Sequence, residues 1–75
     1  MEIEERISVE IGKFEESLKA LGAGPVDEKA KKIIELAEMY AKDAQEWLGR
    51  KEFYSAFASI YYAHGLLDAL LKMRK

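Results

Sequence analysis

Cysteine is absent from this chain of 75 residues, and the chain has only one histidine. The lack of cysteine excludes disulfides, thiolate chemistry and zinc sites built on sulfur. A single imidazole also argues against a histidine metal cage, so no metal and no cofactor are expected. A domain this short buries a small core and usually needs a disulfide, a metal or a partner chain. We therefore expect self-association or a protein partner to supply the additional stability.

Long apolar runs and blocks of like charge are missing as well. The most apolar stretch, residues 53–71, contains His64 and Asp68, and ionisable groups in mid-bilayer are costly, so no membrane insertion is expected. The acidic start is not a signal peptide, which favours a cytoplasmic protein. The 12 basic and 14 acidic residues are intermixed, which disfavours nucleic-acid binding. The absence of Asn and Thr beside 35% charged residues is typical of thermophile proteins.

Apolar residues recur at alternating spacings of three and four, which is typical of packed helices. The pattern predicts helices over about 2–21, 26–48 and 52–74, separated by breaks at Gly22 to Pro25 and at Gly49. Short connections make consecutive helices antiparallel. We therefore predict an all-α fold, a three-helix up-down-up antiparallel bundle that occupies residues 1–75 as a single domain. The alternative is that the first helix completes the bundle of a partner copy.

The second half of the chain carries a family signature. The matching residues are Tyr40, Asp43 and Ala44, then Ala56 and Phe57, then Tyr62, Ala63, His64, Gly65, Leu67, Asp68 and Ala69. On these residues the chain resembles the archaeal Domain of Unknown Function 357 family, short all-helical proteins whose pattern also contains Gly-Asp-Tyr. This chain has Lys51-Glu52-Phe53 in place of Gly-Asp-Tyr. The resemblance implies a three-helix bundle from an archaeon, without an established activity.

Few polar residues are candidates for chemistry, and they are Asp43, His64 and Asp68. His64 and Asp68 are one helical turn apart, so their side chains can meet as an oriented base or as a structural hydrogen bond. The structural alternative is favoured, because a general base also needs a cleft and further groups. Reflection of the chain about its turns places Glu10 and Glu38 at the height of His64. Neither glutamate lies on the apolar row of its helix, so we expect no metal there.

The third helix is more apolar around its circumference than packing within one chain requires. Tyr54, Tyr61 and Tyr62 cannot all face inward together with Phe53, Phe57 and Ile60. Gly65 costs about 0.5–1 kcal/mol relative to alanine in a helix, which close approach of another helix would offset. Tyrosines are frequent interface anchors. The predicted interface therefore consists of Tyr54, Ala58, Tyr61, Tyr62 and Gly65.

These patterns favour a non-catalytic helical module for self-association or protein interaction, not an enzyme. The alternative is a nucleotide- or RNA-binding helical domain, because residues 43–71 are loosely similar to the HEPN group. Catalytic members of that group carry an Arg-x-x-x-x-His motif. In this chain the residue five before His64 is Ser59, so the similarity does not extend to that activity.

Overall fold

Three long helices make up nearly all of the chain. The computed structural model describes residues 2–22 and 27–73, and its elements are α1 (Glu2–Gly22), α2 (Glu28–Gly49) and α3 (Phe53–Met73). The predicted bounds at 26 and 74 lie outside the described residues. All three helices pack against one another in a body of 38 × 17 × 15 Å, which confirms the three-helix all-α fold. None of the described helices is long and apolar enough to cross a bilayer.

The N-terminus of α2 is capped by a side chain. Oδ1 of Asp27 accepts a hydrogen bond from the backbone N–H of Ala30 at 2.8 Å, and Asp27 itself has an extended backbone. This is the N-cap geometry that satisfies one of the unpaired amides of a first helical turn. The break predicted to begin at Gly22 coincides with the end of α1, since Gly22 is its last helical residue.

The connection between α2 and α3 is a Schellman motif, although glycine does not occupy its left-handed position. The N–H of Glu52 donates to the carbonyl of Trp47 at 2.9 Å, and the N–H of Lys51 donates to the carbonyl of Leu48 at 3.0 Å. Lys51 has a φ of 63°. This position follows the C-cap residue Arg50 and usually belongs to glycine. The turn therefore reverses the chain at the cost of placing a lysine in the left-handed region.

The core combines large side chains from α1 with small ones from α2. Its buried apolar residues are Ile7, Ile11, Phe14 and Leu21 of α1, Ala37, Ala41 and Ala44 of α2, and Ala56, Ile60, Ala63, Leu67 and Leu70 of α3. Five of these twelve residues are alanines, all on α2 and α3. Small side chains let two helices approach closely. The α2–α3 contact is accordingly the most extensive in the molecule.

Helix α1 packs chiefly against α3 and touches α2 least. An open groove of about 180 Å³ remains between α1 and α2, with Ile11, Phe14 and Ala41 among its lining residues. The molecule is therefore a tight α2–α3 hairpin with α1 laid along α3.

Candidate interaction surface

The outward side of α3 presents a continuous uncharged surface, which we call the α3 face. Its members are the exposed residues Tyr54, Ala58, Tyr61, Tyr62, Gly65 and Ala69. Between Phe53 and Leu71 the only residue of this helix that is both exposed and charged is Asp68. Tyr54 is 86% exposed, Tyr62 is 53% exposed and Tyr61 is 43% exposed. All five residues of the predicted interface thus lie on the surface of the chain.

Ring contacts hold two of these tyrosines in place. Tyr62 meets Tyr40 of α2 edge to face, with ring centroids 4.6 Å apart. Tyr61 meets Phe57 in the same way, also at 4.6 Å. Edge-to-face pairs of this kind are favourable beyond the area they bury. Half of each ring is therefore anchored while the other half stays open to solvent.

No neighbouring helix of the same chain approaches Gly65. No side chain, and no backbone outside its own helix, lies within 4 Å of the position that a Cβ would occupy. The close approach of another helix that was expected to offset the cost of Gly65 is therefore not made by the described helices of this chain. Its flat surface is instead open on the α3 face, between Tyr61 and Ala69.

A second feature joins α1 to α3 through polar groups. Nε2 of His64 lies 2.9 Å from the backbone oxygen of Glu10 and 3.2 Å from its carboxylate Oε1. Both partners are acceptors, so Nε2 carries a proton and donates it. Glu10 is only 7% exposed, and the ammonium of Lys13 lies 3.7 Å from its other carboxylate oxygen. The expectation that Glu10 faces away from the packed side of α1 is therefore wrong.

The other polar candidates do not join this pair. The described residues include no hydrogen bond or ion pair of Asp43 or Asp68 with His64. Glu38, predicted at the same height, lines the groove between α1 and α2 instead. Within residues 2–22 and 27–73, no three His, Asp or Glu side chains are grouped to hold a metal. The His64 ring packs edge-on against Phe14, which is an environment typical of a structural histidine.

The comparison with family models decides the classification. The model described as "Protein of unknown function (DUF357)" matches residues 11–75, which is most of the chain. The chain belongs to the DUF357 family. No curated protein matches it. Two residues that carry the DUF357 resemblance, Tyr40 and Tyr62, are the two that contact each other across the α2–α3 hairpin.

The turn between α2 and α3 is the place where the sequence departs from the pattern expected from the resemblance. Lys51 stands where the resemblance led us to expect glycine, and among the described residues it is the non-glycine residue with a positive φ. A left-handed position is the one at which glycine avoids a steric cost. The turn keeps its conformation here without the glycine.

Sequence reasoning missed two exposed apolar residues of α2. Leu36 is 39% exposed and Met39 is 47% exposed. Both residues are apolar but lie outside the apolar rows of the helix. This mismatch is the sequence signal that could have identified them as exposed. Leu36 lies one turn before Tyr40, so the apolar surface continues from Tyr62 across Tyr40 onto α2.

Proposed function

We propose that this DUF357 protein is a non-catalytic helical module that associates with a second copy of itself through the α3 face. The observation that carries the proposal is the lack of charge on this exposed surface in a chain that is 35% charged. Interface centres are depleted of charged residues and enriched in tyrosine. A solvated helix face of a small soluble protein normally has the opposite composition.

The exposed area supports a dimer. Tyr54, Tyr61 and Tyr62 are 86%, 43% and 53% exposed and together present about 350 Å², if a whole tyrosine side chain presents roughly 200 Å². A standard interface buries about 800 Å² per partner. Three rings on one helix therefore supply nearly half of what a stable dimer needs.

The distribution of large and small residues supports a second copy as the occupant. Along the α3 face, all three tyrosines precede Gly65 and Ala69. An antiparallel two-fold dimer can set Tyr62 of each copy over Gly65 of the other. A two-fold interface must be self-complementary in this way.

The experiment is sedimentation or light scattering of the full chain over a range of concentrations. We expect a concentration-dependent dimer, and we expect Ala58→Glu to weaken its Kd at least about 100-fold, because each copy would bury an unpaired carboxylate. Ala20→Glu, the same change at an exposed site on α1, is the matched control and leaves the Kd unchanged. Circular dichroism verifies that both variants stay helical.

A chain that remains monomeric at millimolar concentration overturns the proposal. So does a dimer that Ala58→Glu and Ala20→Glu affect equally, since its interface would then lie elsewhere.

A further inference from the structure

Helix α2 carries a row of outward-facing residues with its own heptad spacing. We call it the α2 row, and its members are Lys29, Lys32, Leu36, Met39, Asp43 and Glu46. They are separated by three, four, three, four and three residues, which places them along one side of the helix. Five of them are exposed and Asp43 is half-buried. The row lies on a different side of α2 from the buried alanines, and all of its members except Asp43 are exposed.

The chemical order of the α2 row is basic, apolar, acidic. Two lysines come first, Leu36 and Met39 follow, and Asp43 and Glu46 end the row. The row is symmetric about the midpoint between residues 37 and 38. An antiparallel copy centred there places Leu36 on Met39 and Lys32 on Asp43. A parallel copy would place each charge against its own kind, which is destabilising.

We propose that two copies of this chain pack antiparallel about a two-fold axis through the middle of the α2 row, with Lys32 of each copy paired with Asp43 of the other. This inference rests on the proposed self-association and specifies its orientation and its second contact surface. It extends the interface from α3 onto α2, so that the two α2–α3 hairpins form a four-helix arrangement.

The charges of the α2 row are available for such pairing. The ion pairs among the described residues all involve Glu10 of α1, so Lys29, Lys32, Asp43 and Glu46 make none with another described residue. Lys32 and Asp43 are 11 positions apart, or about 16 Å along the helix. Two such pairs would flank the Leu36–Met39 contacts, as polar rims flank apolar interface centres.

The α2 row is also continuous with the α3 face. Leu36 lies one turn from Tyr40, and Tyr40 contacts Tyr62. That contact sets the relative height of the two helices. The α3 face has its own centre of symmetry, the midpoint between residues 63 and 64. Ala58 and Ala69 lie at equal distances from it, and so do Tyr62 and Gly65. Residue 64 or 65 lies level with the midpoint of the α2 row when Tyr40 lies level with Tyr62. One two-fold axis thus serves both surfaces to within about one residue, or roughly 1.5 Å.

A charge-reversal cycle on the full chain tests the orientation. We expect Lys32→Glu and Asp43→Lys each to weaken the dimer Kd about tenfold or more, since each turns two attractive pairs into repulsive ones. The double variant K32E/D43K restores a Kd close to that of the original chain. Lys31→Glu has the same charge change at an exposed neighbour outside the α2 row, so it is the matched control and leaves the Kd unchanged.

The outcomes separate this inference from the proposed function. If the original chain dimerises and Ala58→Glu disrupts the dimer, but K32E and D43K change nothing, the α3 face stands and the α2 contact is overturned. If both single variants weaken the dimer and the double variant weakens it further, the antiparallel pairing is overturned. A monomeric original chain overturns both proposals. The supporting result is that the double variant recovers the dimer Kd of the original chain. High salt should make the difference in Kd between the single and double variants smaller, because salt screens the charges.

Discussion

Among the residues that the structure describes, Lys51 is the non-glycine residue whose backbone has a positive φ. Its φ of 63° lies in the left-handed region, where a Cβ costs about 1–2 kcal/mol. Glycine avoids this cost but loses more entropy on folding. We therefore expect Lys51→Gly to raise the free energy of unfolding by about 0.5–1 kcal/mol. Chemical denaturation followed by the fluorescence of Trp47, the single tryptophan, measures the change.

Lys51→Ala is the control for this prediction. It removes the same side chain but keeps the Cβ, so we expect no gain in stability from it. Equal gains in both variants would show that the lysine side chain, not the backbone, is the source of the cost.

At the scale of the element, α3 combines a packed side with an open one, and Gly65 lies on the open side. Since nothing lies within 4 Å of a Cβ at Gly65, alanine fits there and improves helix propensity. We expect Gly65→Ala to stabilise the monomer by about 0.5–1 kcal/mol, measured by thermal unfolding at low concentration. If Gly65 contacts a second copy, the same change weakens the dimer.

Gly12→Ala in α1 is the matched control for the element. Gly12 is also mid-helix with nothing within 4 Å, but it lies outside the proposed interface. It should raise monomer stability and leave the dimer Kd unchanged. A Gly65→Ala variant that is less stable than the original chain, while Gly12→Ala is more stable, would mean that a neighbour occupies the space beside Gly65.

At the scale of the whole molecule, the contact of Glu10 with His64 ties α1 to the α2–α3 hairpin. Glu10→Ala removes the carboxylate beside the half-buried imidazole N–H but keeps the backbone oxygen that accepts from it, so we expect a loss of about 0.5–1.5 kcal/mol in unfolding free energy. Because α1 touches α2 least, amide hydrogen exchange should accelerate first in α1. Glu16→Ala, an exposed change in the same helix, is the control. Equal acceleration of amide exchange in all three helices would contradict the prediction that α1 opens before the α2–α3 hairpin.

The sequence predicted the helices well because their apolar spacing is regular, and it predicted the exposed tyrosines because α3 has more apolar residues than one side can bury. Glu10 was predicted to be exposed because an analysis of apolar periodicity treats every carboxylate as exposed. Only the packing of α3 against α1 shows that His64 contacts the buried carboxylate. Lys51 was missed because a Schellman turn is set by backbone geometry, and Gly49 is the more obvious helix terminator. Leu36 and Met39 escaped notice because two apolar residues among charges read as an ordinary solvated surface.

The alanines between α2 and α3 have a consequence for which substitutions the protein tolerates. At Ala37, Ala44, Ala56 and Ala63, which are fully buried, little side chain can be removed, and any larger residue would force the two helix axes apart. Helix α1 is different, because its large residues border an open groove into which neighbours can shift. Mutational robustness is therefore uneven, low along the hairpin and higher along the helix laid beside it.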